Sequence, residues 1–164
     1  MRALRIIDTG LKPARWNVAM TAALVELHSK GGAGDLVRFH RYPPCVLIGA
    51  TQKAERVADL ENCRRSGIDL VRRITGGGAV YMSPAMLAWD VIVDCRAFGG
   101  PLDALTRRIC GGIAAGLSRL GVSRHRRRAP ILLHGIVAGS PALHQSLASD
   151  RPMRRAGRRS AAQG

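Results

Sequence analysis

The residues with the clearest chemical potential form one run: Arg72-Arg73-Ile74-Thr75-Gly76-Gly77-Gly78-Ala79-Val80-Tyr81. Two cations lead into three consecutive glycines, and a β-like segment follows. Glycine lacks Cβ, so it reaches positive φ and lets a ligand approach the main chain closely. Successive exposed N–H groups then form a concavity for an anion. Arg72 and Arg73 bring positive charge to its edge. Neighbouring side chains of a strand point to opposite faces, so at most one of the two can face the loop's ligand. The combination suits a carboxylate or phosphate beside a narrow apolar slot. No Gly-Lys-Ser/Thr follows the glycines and no GxGxxG opens a helix, which excludes a P-loop and a dinucleotide fingerprint. A tight hairpin that uses glycine for turn geometry alone is the structural alternative.

Elements around the run must position it. Residues 4–10 read as a short strand closed by a Gly turn. Residues 17–29 read as a helix with Asn17 as N-cap and Lys30-Gly31-Gly32 as its stop. Residues 35–42 alternate Leu36, Arg38 and His40 against Val37, Phe39 and Arg41, as a half-buried strand does. Pro43-Pro44 ends it, and 45–49 is a second, apolar strand. A short helix over 59–67 ends at Gly67, and a strand over 68–74 feeds the glycines. Strands over 78–82 and 87–94 follow, and 101–121 is a helix with Leu105, Ile109, Ile113, Leu117 and Leu120 on one face. Gly111-Gly112 should weaken that helix. Strands and helices interleave with short turns, which predicts an α+β fold with a mixed, largely antiparallel sheet and flanking helices.

With these elements in place, the sequence resembles the lipoate–protein ligase A and octanoyltransferase family, whose fold is shared with biotin–protein ligases. The Arg-Arg-x-x-Gly-Gly-Gly-Ala-Val-aromatic run carries the resemblance. Residues 17–26, 38–52, 61–73 and 87–94 support it in the right order, so it covers residues 4 to about 122. The resemblance implies a biotin/lipoate–protein ligase-like fold, incomplete at the C-terminus. It implies that Arg73, Thr75, Gly76, Gly77, Gly78 and Ala79 line the acyl and adenylate site. It further implies ATP with Mg2+, lipoate as substrate, lipoyl-AMP as intermediate, and a lysine on a lipoyl-carrier domain as acceptor.

Two positions depart from the family pattern. Tyr81-Met82-Ser83 stands where aromatic-His-Asp is usual. The family's catalytic lysine, some fifty to sixty residues beyond the glycines, has no counterpart, because Lys12, Lys30 and Lys53 are the only lysines. An impaired ligase is the resulting expectation. Two alternatives stay open: an octanoyltransferase with a cysteine nucleophile, and a noncatalytic module that binds an acyl group, a carrier protein or nucleic acid.

The chain has 164 residues and a formal net charge of +15, with 46% hydrophobic and 4% aromatic residues. That allows one domain with an aliphatic core. Residues 123–164 hold nine of the 26 cations but one of the 11 acids. The family register ends near Val122, and the Arg-, Ala-, Gly- and Ser-rich text beyond it reads as a basic tail, frameshifted or disordered, with one strand-like run at 131–137. Residues 1–122 are then the N-terminal part of the catalytic domain. The arginine runs at 126–128, 154–155 and 158–159 lack interleaved aromatics, so they suit a solvated tail better than a grip on nucleic acid.

Cys45, Cys63, Cys95 and Cys110 form no CxxC pair or Cys/His ladder, so no metal site is expected. Cys45 is the residue to weigh as a thioester nucleophile against a buried small hydrophobe, and core packing suits Cys110. His28 ends a helix, where the dipole favours it. His40 faces solvent or the site edge. Of Trp89 and Asp90 only one can face the core, and Lys53 follows a loop. No export segment or membrane-length apolar run appears, which points to a cytoplasmic protein with reduced thiols.

Overall fold

A computed structural model describes residues 3–94 and 102–121. Cys95, the strand-like run at 131–137 and the basic tail lie outside the described residues.

Strand β1 (Arg5–Leu11) leads into helix α1 (Ala14–Ser29) and strand β2 (Leu36–Arg41). Strand β3 (Cys45–Ile48), helix α2 (Leu60–Arg65) and strand β4 (Asp69–Arg72) repeat that order. Strands β5 (Val80–Met82) and β6 (Ala88–Ile92) follow, then helix α3 (Leu102–Arg119). A helix between two strands carries the chain back to the starting edge, so the strands it joins run parallel. Accordingly β1 pairs parallel with β2 and β3 parallel with β4. The later strands add antiparallel, β6 on β2 and β5 on β3. Two three-stranded sheets result, ordered β1-β2-β6 and β4-β3-β5. The mixed α+β architecture expected from the sequence is the one observed.

Helix α1 begins three residues earlier than expected. Pro13 takes the cap position with φ −52° and ψ 145°, a backbone setting that its ring favours. Asn17 is therefore not an N-cap. It lies inside the helix, fully buried, and its Nδ2 donates to Lys12 O (3.1 Å) and Arg41 O (2.9 Å). One amide thus ties the helix to the ends of β1 and β2. Asn17, Thr21 and Val25 recur every four residues and are all buried, so α1 presents a face that is polar at one end and apolar at the other.

The first sheet has a helix on each side. Leu36 and Ile92 pack with Val25 of α1, while Val91 and Val93 pack with Leu105 of α3. Asp90 and Trp89 take opposite faces as expected, with Asp90 buried and Trp89 half-buried on the α3 side. A third cluster, Ala14, Tyr42, Cys45, Leu47, Val71, Met82 and Ala88, joins α1 to the β4-β3-β5 sheet. Helix α3 runs unbroken through Gly111-Gly112; a propensity loss of about 1 kcal/mol per glycine does not interrupt an amphipathic helix of this length. Only Leu105 of its apolar face is buried. Between that face and the sheet runs an apolar groove of about 640 Å³, with Ile6, Phe39, Trp89, Ile109, Ile113 and Leu117 among its lining residues.

Candidate functional site

The two arginines ahead of the glycines hold two different loops. Arg72 projects from the end of β4, and its Nη1 donates to Gly49 O (2.9 Å), Ala50 O (3.1 Å) and Gln52 O (2.7 Å). Gln52 Oε1 accepts from Gly49 N at 2.9 Å, which closes the same turn. Arg73 points the other way and is buried, 7% exposed. Its Nη2 donates to Gly76 O (2.7 Å) and Gly78 O (2.9 Å), Nη1 to Leu47 O (3.1 Å) and Nε to Thr75 Oγ1 (3.2 Å). Burial pushes its guanidinium below the ordinary arginine value, but five fixed donors among carbonyls suit an arginine that keeps its charge.

This arrangement turns the glycine loop inside out. The carbonyls of Gly76 and Gly78 face inward onto Arg73. Among the described residues, no acceptor takes the N–H of Gly76, Gly77 or Gly78. Those exposed N–H groups are left to solvent or to a ligand. Arg73 is the loop's scaffold, not a free cation beside it.

The three glycines do different things. Gly77 has φ +95°, where side chains are strained, and a Cβ there would lie 2.9 Å from Arg73 Nη2. Across the gap, a Cβ on Gly49 would meet Gly77 O at 2.2 Å, so the two loops touch main chain to main chain. Gly76 and Gly78 have no such constraint. Neither has positive φ, and a Cβ on either would meet nothing within 4 Å. Packing within the chain does not demand glycine at these two places, and both border open space beside the unpaired N–H groups. Ala79 is exposed and leads directly into β5.

Beneath the loop, in the seam between the two sheets, lies a cavity of about 20 Å³. Val18 and Thr21 of α1, His40, Tyr42, Leu47, Asp90, Arg73, Ile74 and Thr75 line it. His40 is buried, 1% exposed, rather than at a solvent face, and its Nε2 lies 3.2 Å from Tyr42 Oη. Burial raises the Tyr42 phenol well above its ordinary value, so it stays protonated.

Sequence reasoning missed the polar cluster behind this cavity. Arg38 and Asp90 face each other across the β2–β6 ladder, and Arg38 Nη2 lies 3.0 Å from Asp90 Oδ2 with both side chains buried. Thr21 Oγ1 donates to Asp90 Oδ2 (2.9 Å) and accepts from Arg38 Nη2 (3.1 Å), and Nη2 also reaches Asn17 O at 3.2 Å. Arg38 Nε and Nη1 have no hydrogen-bond partner among the described residues. Burial raises Asp90 above its ordinary value against the pull of Arg38 and Thr21. A signal was available: each of these polar residues sits at an inward-facing position of its element, in phase with Leu36, Ile92 or Val25.

Cys45 lies at the bottom of the core, 0% exposed, and burial pushes its thiol up to about 11. A thiol that holds its proton at neutral pH is a poor nucleophile. None of Cys45, Cys63 and Cys110 lines the cavity. In native protein at pH 8, iodoacetamide should label Cys63 and Cys110 at least tenfold faster than Cys45, read by peptide mass spectrometry. The Cys45 proton also has a linkage sign. The native state keeps it between pH 9 and about 11, where the unfolded chain loses it, so this thiol's contribution to stability declines across that window.

Two mixed three-stranded sheets with α1 packed on both and a Gly-Gly-Gly loop clamped by Arg73 make up the site, and comparison with known proteins gives the family. A family model for the lipoyl protein ligase A/B catalytic domain matches residues 13–147, and the chain belongs to that family. The match extends past Val122, where the register read from the sequence stops. Octanoyltransferase LipM of Geobacillus kaustophilus is 37% identical over 124 residues, covering 74% of this chain and 44% of that protein. LipM of Staphylococcus aureus is 36% identical over 118 residues, covering 70% and 42%. The chain thus spans less than half the length of these relatives. Among solved structures, a lipoate–protein ligase A bound with ATP is 26% identical with a TM-score of 0.63, covering 80% of this chain and 54% of that one. The bipartite lipoate protein ligase of Thermoplasma acidophilum, solved in a study with its E2 lipoyl domain, is also 26% identical at 0.63, covering 79% and 49%.

Proposed function

We propose that this chain carries the acyl-binding part of an octanoyl- or lipoyl-transfer site. The observation that carries this reading is the inverted loop. Among the described residues three N–H groups without an acceptor stand on an exposed loop clamped by Arg73, and two of its glycines are not required by the chain's own packing. In the reaction, the acyl carbon leaves the sulfur of a thioester and forms an amide with the Nζ of a carrier-domain lysine. The thiol takes up the proton that the amine gives up. The N–H groups of Gly76, Gly77 and Gly78 would hold the acyl oxygen as negative charge develops on it. Arg73, Thr75 and Ala79 would act with them, Arg73 by fixing the loop. Octanoyl transfer from a thioester is the better-supported form, since the relatives named above are octanoyltransferases.

ATP-dependent lipoyl-AMP formation is the second reading, and a likeness to an ATP-bound ligase favours it. The loop N–H groups fit a phosphate as well as an oxyanion. A magnesium ion finds less: among the described residues no three His, Cys, Asp or Glu side chains are grouped to hold a metal. No lysine follows Lys53 to meet the phosphate.

The acceptor in either form is a lipoyl-carrier domain. Among the described residues no helix is long and apolar enough to cross a membrane. The deciding assay follows acyl transfer to a purified lipoyl domain by mass spectrometry. Octanoylation from an octanoyl thioester without ATP is the expected result. Modification only with lipoate plus ATP would replace it with the ligase reading, and no modification under either condition would leave the chain a binding module.

A further inference from the structure

Helix α3 leaves part of the first sheet uncovered. The register sets Ile6 beside Val37, Val37 beside Val91 and Phe39 beside Trp89, so these side chains share one face of the sheet. Near its start α3 packs on that face, where Leu105 and Ile109 meet Val91, Val93 and Val37. Further along, Ile113, Leu117 and Leu120 border the apolar groove of about 640 Å³. Leu120 is 79% exposed on the helix and Ile6 69% exposed on the sheet. A Cβ at Gly112 or Gly116 would meet nothing within 4 Å, so α3 offers no side chain to close the gap there. We infer that residues 131–137 of this same chain dock in the groove and complete the core between α3 and the β1-β2-β6 sheet.

Length, chemistry and charge each favour this occupant. Gly121 has φ +78° and ends α3 beside Leu120, so the chain leaves the helix at the groove's own edge. Residues 122–130 are a nine-residue connection, which spans at most about 30 Å. Residues 105–120 of α3 rise about 22 Å, so the connection reaches either end of the groove. Seven extended residues cover about 23 Å, the same length. Ile131, Leu132, Leu133, Ile136 and Val137 make the run strongly aliphatic, and it carries no charged residue. The groove lining is apolar apart from Arg108. It holds no acid for Arg124, Arg126, Arg127 and Arg128, so those cations stay in water while the neutral run is buried. The family match extends to residue 147 and includes the run. A second copy of the chain is the weaker candidate. Two copies at +15 each repel, whereas a tethered segment meets the groove at an effective concentration in the millimolar range.

Hydrogen exchange of the full chain, read by peptide mass spectrometry with light scattering alongside, tests this. Amides of residues 131–137 should exchange at least tenfold more slowly than in an unfolded chain, in a monomer. Leu133→Gln with Ile136→Gln should abolish that protection and speed exchange over residues 112–120 of α3 at least tenfold. Ile113→Gln, in the groove, should abolish the protection of residues 131–137 in turn. Leu143→Gln, outside the run, should change neither. Unfolded-chain exchange over residues 131–137 in wild type overturns the inference, whether or not the variants fold. So does protection that survives Ile113→Gln in a variant of native melting temperature, since the run then packs elsewhere. Protection that disappears on dilution, as a dimer dissociates, overturns it in favour of a second copy. None of these outcomes depends on acyl transfer.

Discussion

Replacing Arg73 with alanine is expected to destabilise the fold by about 3 kcal/mol and to abolish acyl binding. The guanidinium donates to Leu47 O, Gly76 O, Gly78 O and Thr75 Oγ1. A hydrogen bond from a charged donor is worth roughly 1.5–3 kcal/mol. The effects do not add fully, since the carbonyls of an exposed loop regain water once the side chain is gone, while Leu47 O is buried within the sheet. Urea denaturation measures the change as a lower midpoint at unchanged slope. Arg73→Lys should recover little, because one ammonium cannot span carbonyls on two segments as a planar fork does. Loss of the clamp also frees the loop carbonyls to turn outward, which changes where the N–H groups of Gly76, Gly77 and Gly78 point. A variant with wild-type stability would show that the loop holds its shape without Arg73.

Asp90→Ala should be comparably severe, about 3–5 kcal/mol, because it strands the fully buried Arg38 without its counterion. The double change Arg38→Met with Asp90→Ala should restore much of that loss, since removing both charges also removes both desolvation penalties. Asp90 further gives the protein an inverted acid response. Burial raises its folded-state value above the ordinary 3.8, so from pH 3.8 upward the native state keeps a proton that the unfolded chain has lost. Its contribution to stability is full below pH 3.8 and declines as pH rises through the raised value. Asp90→Asn should remove that component, seen as a difference in urea midpoints between pH 4 and pH 6 that is present in wild type and absent in the variant.

The glycine run was legible as a tight loop because it is contiguous, but the triplet alone fitted a plain hairpin equally, and only the inward turn of the Gly76 and Gly78 carbonyls onto Arg73 distinguishes the loop seen here. The element order was legible for a similar reason, since period-2 alternation over 36–41 and Gly-terminated helices are local signals. What α1 does with Asn17 was not. Asparagine is a common cap, but Pro13 supplies the cap geometry here, and Asn17 instead bonds to Arg41 O on another strand. The Arg38–Asp90 pair was hidden because it depends on the β2–β6 register, which places residues 52 positions apart opposite each other. The distinct tasks of Arg72 and Arg73 followed the strand alternation as expected. Which loop each would hold required the parallel pairing of β3 with β4, which brings Gly49 and Gln52 within reach of Arg72.

The central claim is that the space beside Gly76 and Gly78 receives an acyl group. Equilibrium binding of octanoate to wild type and to Gly78→Val tests it most directly, with melting temperatures measured alongside. A Cβ at position 78 meets nothing within 4 Å, so the variant should melt within about 2 °C of wild type while losing at least 100-fold in octanoate affinity. Equal octanoate affinity in the two proteins, or none in wild type, would contradict the account.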